Sequence, residues 1–253
     1  MILQWSKKIP FILFCILLIF FHSACNNVND QYSASHSSAG TDYCDVPPLL
    51  IEDLEGKPEQ FFLTFARDYS ICCGTMNFRS ANDLSDANKF LLFYFFQDYI
   101  DRQKGTPYQL EANYFSEKEN AVVLPVSTVK QWLKIYLGTD SFDPASAVLE
   151  DGSLTYDSET DTLIVPMLSG FGGVRACGLL KTNTSDEILT MDIGFYNPET
   201  FNQNPPEFDC YEYVQMQVKL SQNNPYEFQL LSWVTTRYNQ DGTISILDSP
   251  QDA

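Results

Sequence analysis

The stretch Leu189-Thr-Met-Asp-Ile-Gly-Phe195 decides the fold, because large apolar residues alternate along it with polar or small ones. The same alternation returns in Val214-Gln-Met-Gln-Val-Lys-Leu220. A period of two buries one face of a strand and leaves the other face wet, which is typical of antiparallel sheets. Turn-rich segments separate these strands from further ones predicted at 163–167, 228–237 and 243–247. The C-terminal half therefore predicts an antiparallel β-meander.

Three helices are predicted ahead of the strands, each with its own start and stop residues. They run from Pro58 to a stop at Gly74, from about Asp86 to Lys104 with Gly105 just past the end, and from Ser127, as N-cap, to Gly138. The middle helix carries FLLFYFF at 90–96, so we expect it to be covered on several sides. Helices followed by strands predict an α+β domain with the N-terminal helices on one face of the meander. A cystatin-like or NTF2-like curved sheet is one candidate, by analogy of element order alone.

The N-terminus predicts export and a membrane anchor. Lys7 and Lys8 precede an apolar run, Ile9 to Phe21, that is too short to span a bilayer as a helix. Ser23-Ala24-Cys25 follows at once and resembles the lipobox of bacterial lipoproteins. That resemblance implies that residues 1–24 are a signal peptide and that Cys25 carries the lipid. Ordinary cleavage after Ala24, an uncleaved short anchor and a buried core element are the alternatives.

Residues 25–43 are rich in Ser, Asn and other small residues and nearly free of core formers, which predicts a flexible lipidated tether. A single folded domain is then expected over 44–253. These assignments place the protein at the cell membrane, lipid-anchored on the extracytoplasmic face, with the membrane as a partner through its anchor. The tether, Tyr136-Leu-Gly138, Tyr156-Asp157 and the glycine-rich segment 170–173 also resemble uncharacterised lipoproteins of Gram-positive gut anaerobes.

The charge of the chain excludes one class of partner. Its formal net charge is −18, and loss of residues 1–24, which hold two lysines and no acid, would bring it to −20. So acidic a chain repels phosphate backbones, so we expect no nucleic-acid binding. The acidity also fits the simpler role of keeping an exported protein soluble.

Catalysis has little support in the sequence. The two histidines, His22 and His36, precede the expected domain, so a Ser-His or Cys-His pair is not expected there. We therefore expect no enzyme activity and no cofactor. The alternative is a carboxylate-dependent hydrolase of glycans, which needs two acids about 5–10 Å apart in a cleft, at least one with a raised pKa.

Two loops and the cysteines are further candidates for a functional site. Asp157, Glu159 and Asp161 match the start of a calcium loop, but its later positions fail, so a solvated turn is favoured and no metal is expected. The glycines at 170–173 predict a tight strand connection that could rim a pocket. Five cysteines remain beyond residue 25, an odd number that leaves their pairing open: Cys44, Cys72, Cys73, Cys177 and Cys210.

Aromatic side chains near the last hairpin are the remaining candidates for a site. The candidate ligand-binding residues are Tyr213, Tyr226, Trp233 and Tyr238. Exposed aromatics beside carboxylates can hold sugars or cationic ligands, whereas core packing is the alternative role for the same rings. The sequence thus predicts a membrane-tethered module that binds an unknown small molecule, glycan or protein. A third hypothesis is that the protein is a purely structural component of the cell envelope.

Overall fold

The computed structural model describes residues 47–73, 76–149, 152–166, 175–202, 210–221, 224, 226–238 and 244–246. It describes no side chains for 166, 236–238 and 244–246. Several predicted features lie outside the described residues: the leader 1–24, Cys25, the tether 25–43, Cys44, the glycine-rich segment 170–173 and the side chain of Tyr238.

The three predicted helices are present, with two short ones added. The helices of the described chain are α1 (Pro58–Cys73), α2 (Asp86–Lys104), α3 (Gln109–Tyr114), α4 (Val126–Tyr136) and α5 (Pro198–Phe201). Helix α2 begins and ends as predicted: the Asn88 N–H donates to Ser85 Oγ at 3.2 Å, and Gly105 follows with φ of 65°. None of the described helices is long and apolar enough to cross a membrane.

The predicted cap of α4 is wrong. Val126, not a residue after Ser127, begins this helix, and Pro125 before it closes the preceding strand. The Val126 N–H donates to the Asp161 carbonyl oxygen at 3.1 Å, so a neighbouring turn satisfies the donor that a side-chain cap would otherwise serve.

The strands form two antiparallel sheets. The smaller has the order β1-β2-β4-β3 and contains β1 (Phe115–Ser116), β2 (Ala121–Pro125), β3 (Thr155–Asp157) and β4 (Thr162–Pro166). The larger is a meander of β5 (Ala176–Ser185), β6 (Ile188–Tyr196), β7 (Cys210–Leu220), β8 (Phe228–Tyr238) and β9 (Ile244–Ile246). Helices α1 and α4 contact the meander, which confirms the predicted α+β class. The strand predicted at 163–167 belongs to the smaller sheet, not to the meander.

Register in the meander follows the alternation of the sequence. Met191, Met216 and Trp233 lie side by side on the face that packs into the core. Thr190, Gln217 and Ser232 form the matching row on the opposite face, where the Gln217 side chain links its two neighbours at 3.4 Å on each side. Apolar and polar positions are therefore sorted to opposite faces, as a period of two requires.

Two single-residue bridges add backbone pairing along the edge strand β5 and along β8, ahead of the part of β8 that pairs with β9. Leu49 pairs with Leu179 on β5 through backbone hydrogen bonds of 2.9 and 2.8 Å, and Phe78 pairs with Trp233 on β8 through bonds of 2.8 and 2.9 Å. We call residues 47–50 the N-terminal strap. Its Pro48 packs so closely on Gly178 that a Cβ there would lie 2.8 Å from Pro48 Cγ. Such cover is a common protection of exposed sheet edges.

Aromatic rings fill the space between the helices and the meander. Phe228 on β8 lies within 6 Å, centroid to centroid, of five rings: Phe61, Phe62, Phe65, Phe96 and Tyr136. Helix α2 supplies much of this core, and its residues 92–97 are all buried. The prediction that α2 is covered on several sides is therefore confirmed.

Candidate functional site

Tyr213 and Trp233, two of the aromatic residues predicted as a ligand site, lie on opposite faces of the meander. Trp233 is 0% exposed, and its ring lies 4.1 Å from that of Tyr69 within the core. Tyr213 lies on the opposite face of the sheet, because it is three residues before Met216 on β7, and Met216 pairs with Trp233. Tyr213 is itself only 8% exposed. The indole of Trp233 is thus a core group in this structure.

Tyr226 is the predicted candidate that is closest to solvent among those with described side chains. It is half-buried just before β8, and the Lys104 ammonium lies 5.4 Å from its ring centroid. Phe61 packs on the same ring at 6.1 Å. The ring of Tyr226 therefore already contacts a cation of the same chain, Lys104.

A groove on the surface is a stronger candidate, and it lies just beyond the end of α2. Its lining residues are Pro107, Tyr108, Glu111, Ala112 and Phe115. We call it the Tyr108 groove. It is shallow and open to solvent, with a volume of about 460 Å³, within the usual range of ligand sites. Phe115 is 40% exposed, so the groove presents apolar surface that the fold leaves uncovered.

A buried carboxylate fixes the helix that carries the groove. Helix α3 begins after Tyr108, whose side chain cannot cap it. Asp101, 6% exposed near the end of α2, does so instead: its Oδ2 accepts from the Gln109 N–H at 2.8 Å. The Thr106 hydroxyl donates to Oδ1 of the same carboxylate at 3.3 Å. On the far side, β1 places Phe115 opposite Val122 of β2. Both ends of the groove are therefore anchored to larger elements.

The ring of Tyr108 packs against that of Tyr94 in a T-shaped arrangement, with centroids 5.7 Å apart and planes at 71°. Both hydroxyl oxygens are buried, and neither has a partner outside this pair among the described residues. Burial is the main cause that raises the pKa of both phenols, and the negative charges of Asp98 and Glu111 raise it further. Both phenols are therefore neutral at ordinary pH, and Tyr108 offers the groove a neutral aromatic ring.

The electrostatics of the groove are negative. Among its described lining residues, Glu111 carries a charge and none is Lys or Arg. The negative charge of Asp98 on α2 also raises the pKa of Tyr94 and Tyr108. Asp98 does so although it forms an ion pair with the Arg102 guanidinium at 2.9 Å. The groove thus combines an aromatic ring, exposed apolar surface and a carboxylate.

The described carboxyl groups whose pKa is clearly perturbed do not have the raised pKa of a glycosidase acid. The described carboxyl groups with a clearly perturbed pKa, Asp143 and Asp157, both have it lowered, chiefly by the hydroxyls of Ser146 at 2.6 Å and Thr160 at 2.8 Å. A general acid needs its pKa raised. Among the described residues, no group of three or more His, Cys, Asp or Glu side chains is arranged to hold a metal ion.

The thiols of the described core are poor nucleophiles. Cys72, Cys73 and Cys177 are free, and Cys73 and Cys177 are buried. Burial raises the pKa of Cys72 and of Cys177 to about 12, so little thiolate is present near neutral pH. These cysteines act here as small core and boundary residues.

Sequence reasoning did not find the Tyr108 groove. Helix α3 has six residues and β1 has two. Neither is long enough for its sequence to show the hydrophobic period of a helix or of a strand. The signal that was present is the segment Thr106-Pro-Tyr108 directly after the Gly105 stop, which indicates a turn followed by a new element. The exposure of Phe115 could not be inferred, because the sequence around an isolated aromatic residue does not distinguish a buried side chain from an exposed one.

No family model, no curated protein and no solved structure matches this chain. The candidate cystatin-like or NTF2-like sheet stays an analogy of element order. Function must therefore be argued from the residues of the chain itself.

Asp101→Ala is expected to lower the free energy of unfolding by about 1–3 kcal/mol, because it removes the acceptor of a buried N–H. The Asp101→Asn variant keeps one carbonyl acceptor and should lose less. Urea unfolding followed by circular dichroism measures both. Equal stability of Asp101→Ala and wild type would contradict the anchoring role given to this carboxylate.

Proposed function

We propose that this protein is a membrane-tethered extracytoplasmic lipoprotein whose folded domain is a protein-interaction module, with the Tyr108 groove as its contact site. The observation that carries the proposal is the groove itself: an exposed Phe115 and a Tyr108 ring on a chain that is otherwise strongly acidic. Aromatic side chains in such a setting are enriched at interaction surfaces.

The shape of the groove favours a protein over a small molecule. Small ligands are usually buried over most of their surface in a concave pocket. The Tyr108 groove is open, so it could cover only one side of such a ligand. A protein partner can add contacts around the groove and exclude water from its centre.

The anchoring part of the proposal rests on Lys7, Lys8, the apolar run Ile9 to Phe21 and Ser23-Ala24-Cys25. A lipid with two or three acyl chains on Cys25 would attach the domain durably, because each buried methylene contributes about 0.8 kcal/mol. Mass spectrometry of protein from its own host should find residue 25 at the N-terminus with a diacylglyceryl group. An intact Met1 or an unmodified Cys25 thiol would overturn this part alone.

Site-specific crosslinking tests the groove. A photoreactive benzoylphenylalanine at Ala112 is expected to crosslink one discrete protein in native membranes. Adding Phe115→Ser should reduce that product at least tenfold, because loss of a central aromatic contact commonly costs about 1.4 kcal/mol or more.

Val148→Ser is the matched control, because Val148 is 41% exposed and Phe115 is 40% exposed. This variant should leave the crosslinked product unchanged. The proposal fails if the product survives Phe115→Ser, or if a photoreactive group at the exposed Lys181 of β5 captures the same protein equally well.

A further inference from the structure

We infer that the Tyr108 groove receives a basic side chain, lysine or arginine, that a partner polypeptide presents next to an apolar residue. This inference rests on the proposed interaction function and names the chemistry of the partner. Two features of the groove carry it: the carboxylate in its lining and the aromatic ring beside that carboxylate.

Charge complementarity is the first argument. Glu111 is half-buried in the lining, and none of the described lining residues is a lysine or arginine that could neutralise it. A partner that brings a cation would meet an attractive carboxylate there, whereas an acidic partner would meet repulsion. The net charge of −18 over the whole chain acts in the same direction at longer range.

The aromatic ring is the second argument. A cation within about 6 Å of a tyrosine centroid is attracted by the face of the ring. Among the described residues, Lys104 lies 5.4 Å from the ring centroid of Tyr226 and Arg102 lies 5.8 Å from that of Tyr99, so the fold uses this contact with tyrosine elsewhere. No such cation among the described residues lies over Tyr108, although its ring lines an open surface. The groove therefore combines both elements of a cation site, a carboxylate and an aromatic ring.

The apolar neighbour follows from the rest of the lining. Pro107, Ala112 and the 40% exposed Phe115 surround the charged and aromatic pair with apolar surface. Lysine and arginine carry apolar stems, and an adjacent phenylalanine or leucine would cover the remainder. A dipeptide unit of one apolar and one basic residue thus matches the chemistry of the groove.

Three capped dipeptides test the inference on the full-length protein by amide chemical-shift titration. They are acetyl-Phe-Lys-amide, acetyl-Phe-Gln-amide and acetyl-Phe-Glu-amide. We expect shifts at residues 108–115, with the Lys peptide binding about three- to fivefold more tightly than the Gln peptide and the Glu peptide weakest. Raising the salt concentration to about 1 M should reduce the differences in affinity among the three peptides, because exposed charges are then screened.

The Glu111→Gln variant separates the inference from the proposed function. It should reduce the preference for the Lys peptide over the Gln peptide, because the Tyr108 ring remains, whereas Phe115→Ser should abolish binding of all three. Equal binding of all three to the unaltered protein would overturn the cation inference and leave the groove as a contact site. No shift at residues 108–115 with any peptide would overturn both. Phenethylammonium binding as tightly as the Lys peptide would overturn the assignment to a polypeptide.

Discussion

Phe228→Ala should lower the free energy of unfolding by about 3–5 kcal/mol, a typical cost for truncating a buried phenylalanine. The side chain is 2% exposed and lies among five aromatic rings from α1, α2 and α4. Truncation therefore leaves a cavity where the helices meet the meander, and rigid rings can fill it only in part. Chemical unfolding of the variant and the wild type gives the difference directly.

Phe115→Ala is the control for that measurement, because it removes the same atoms from a ring that is 40% exposed. Its expected change is within about 0.5 kcal/mol. If the two variants lose equal stability, the aromatic core is not where the structure places it.

Trp233→Ala is the second large effect, with an expected loss of about 3–5 kcal/mol. The indole is 0% exposed and packs on Tyr69, and its backbone forms the bridge to Phe78. Trp233→Phe should lose much less, because it retains most of the ring and because the indole N–H has no hydrogen-bond partner among the described residues. Thermal unfolding of the wild type, Trp233→Phe and Trp233→Ala measures their stabilities, which we expect to fall in that order.

The same pair of variants addresses the predicted ligand role of Trp233. If the indole serves only the core, the folded Trp233→Phe protein should give the wild-type crosslink from position 112. A loss of that crosslink with stability retained would mean that Trp233 contributes to binding after all.

The sequence was most informative where one period ran over many residues. Helix α2 has caps at both ends and an apolar run between them, and β6 and β7 alternate cleanly, so their positions follow from local chemistry. The second sheet escaped prediction because β1 and β3 are two and three residues long. Such short strands are defined by their partners, not by a pattern of their own.

Trp233 shows why the face of a residue can escape the same reasoning. Counting in twos from Phe228 and Leu230 would put position 233 on the outer face of β8. The pairing shifts between Gln217 and Val218, where one extra residue on β8 reverses the count and brings Trp233 opposite Met216. A bulge of this kind leaves little trace in one sequence, so core and surface roles for this tryptophan could not be separated beforehand.

The N-terminal strap has a mechanical consequence if the domain is tethered at its N-terminus as proposed above. Among the described residues, the strap precedes every helix along the chain, and the two Leu49–Leu179 hydrogen bonds join it to β5. Pro48 packs on Gly178 beside them, whereas the elements that follow are embedded in the aromatic core. Under tension from the N-terminal side we expect these two hydrogen bonds to break first and to free the four residues of the strap, about 13 Å of chain, while the groove and the core stay folded.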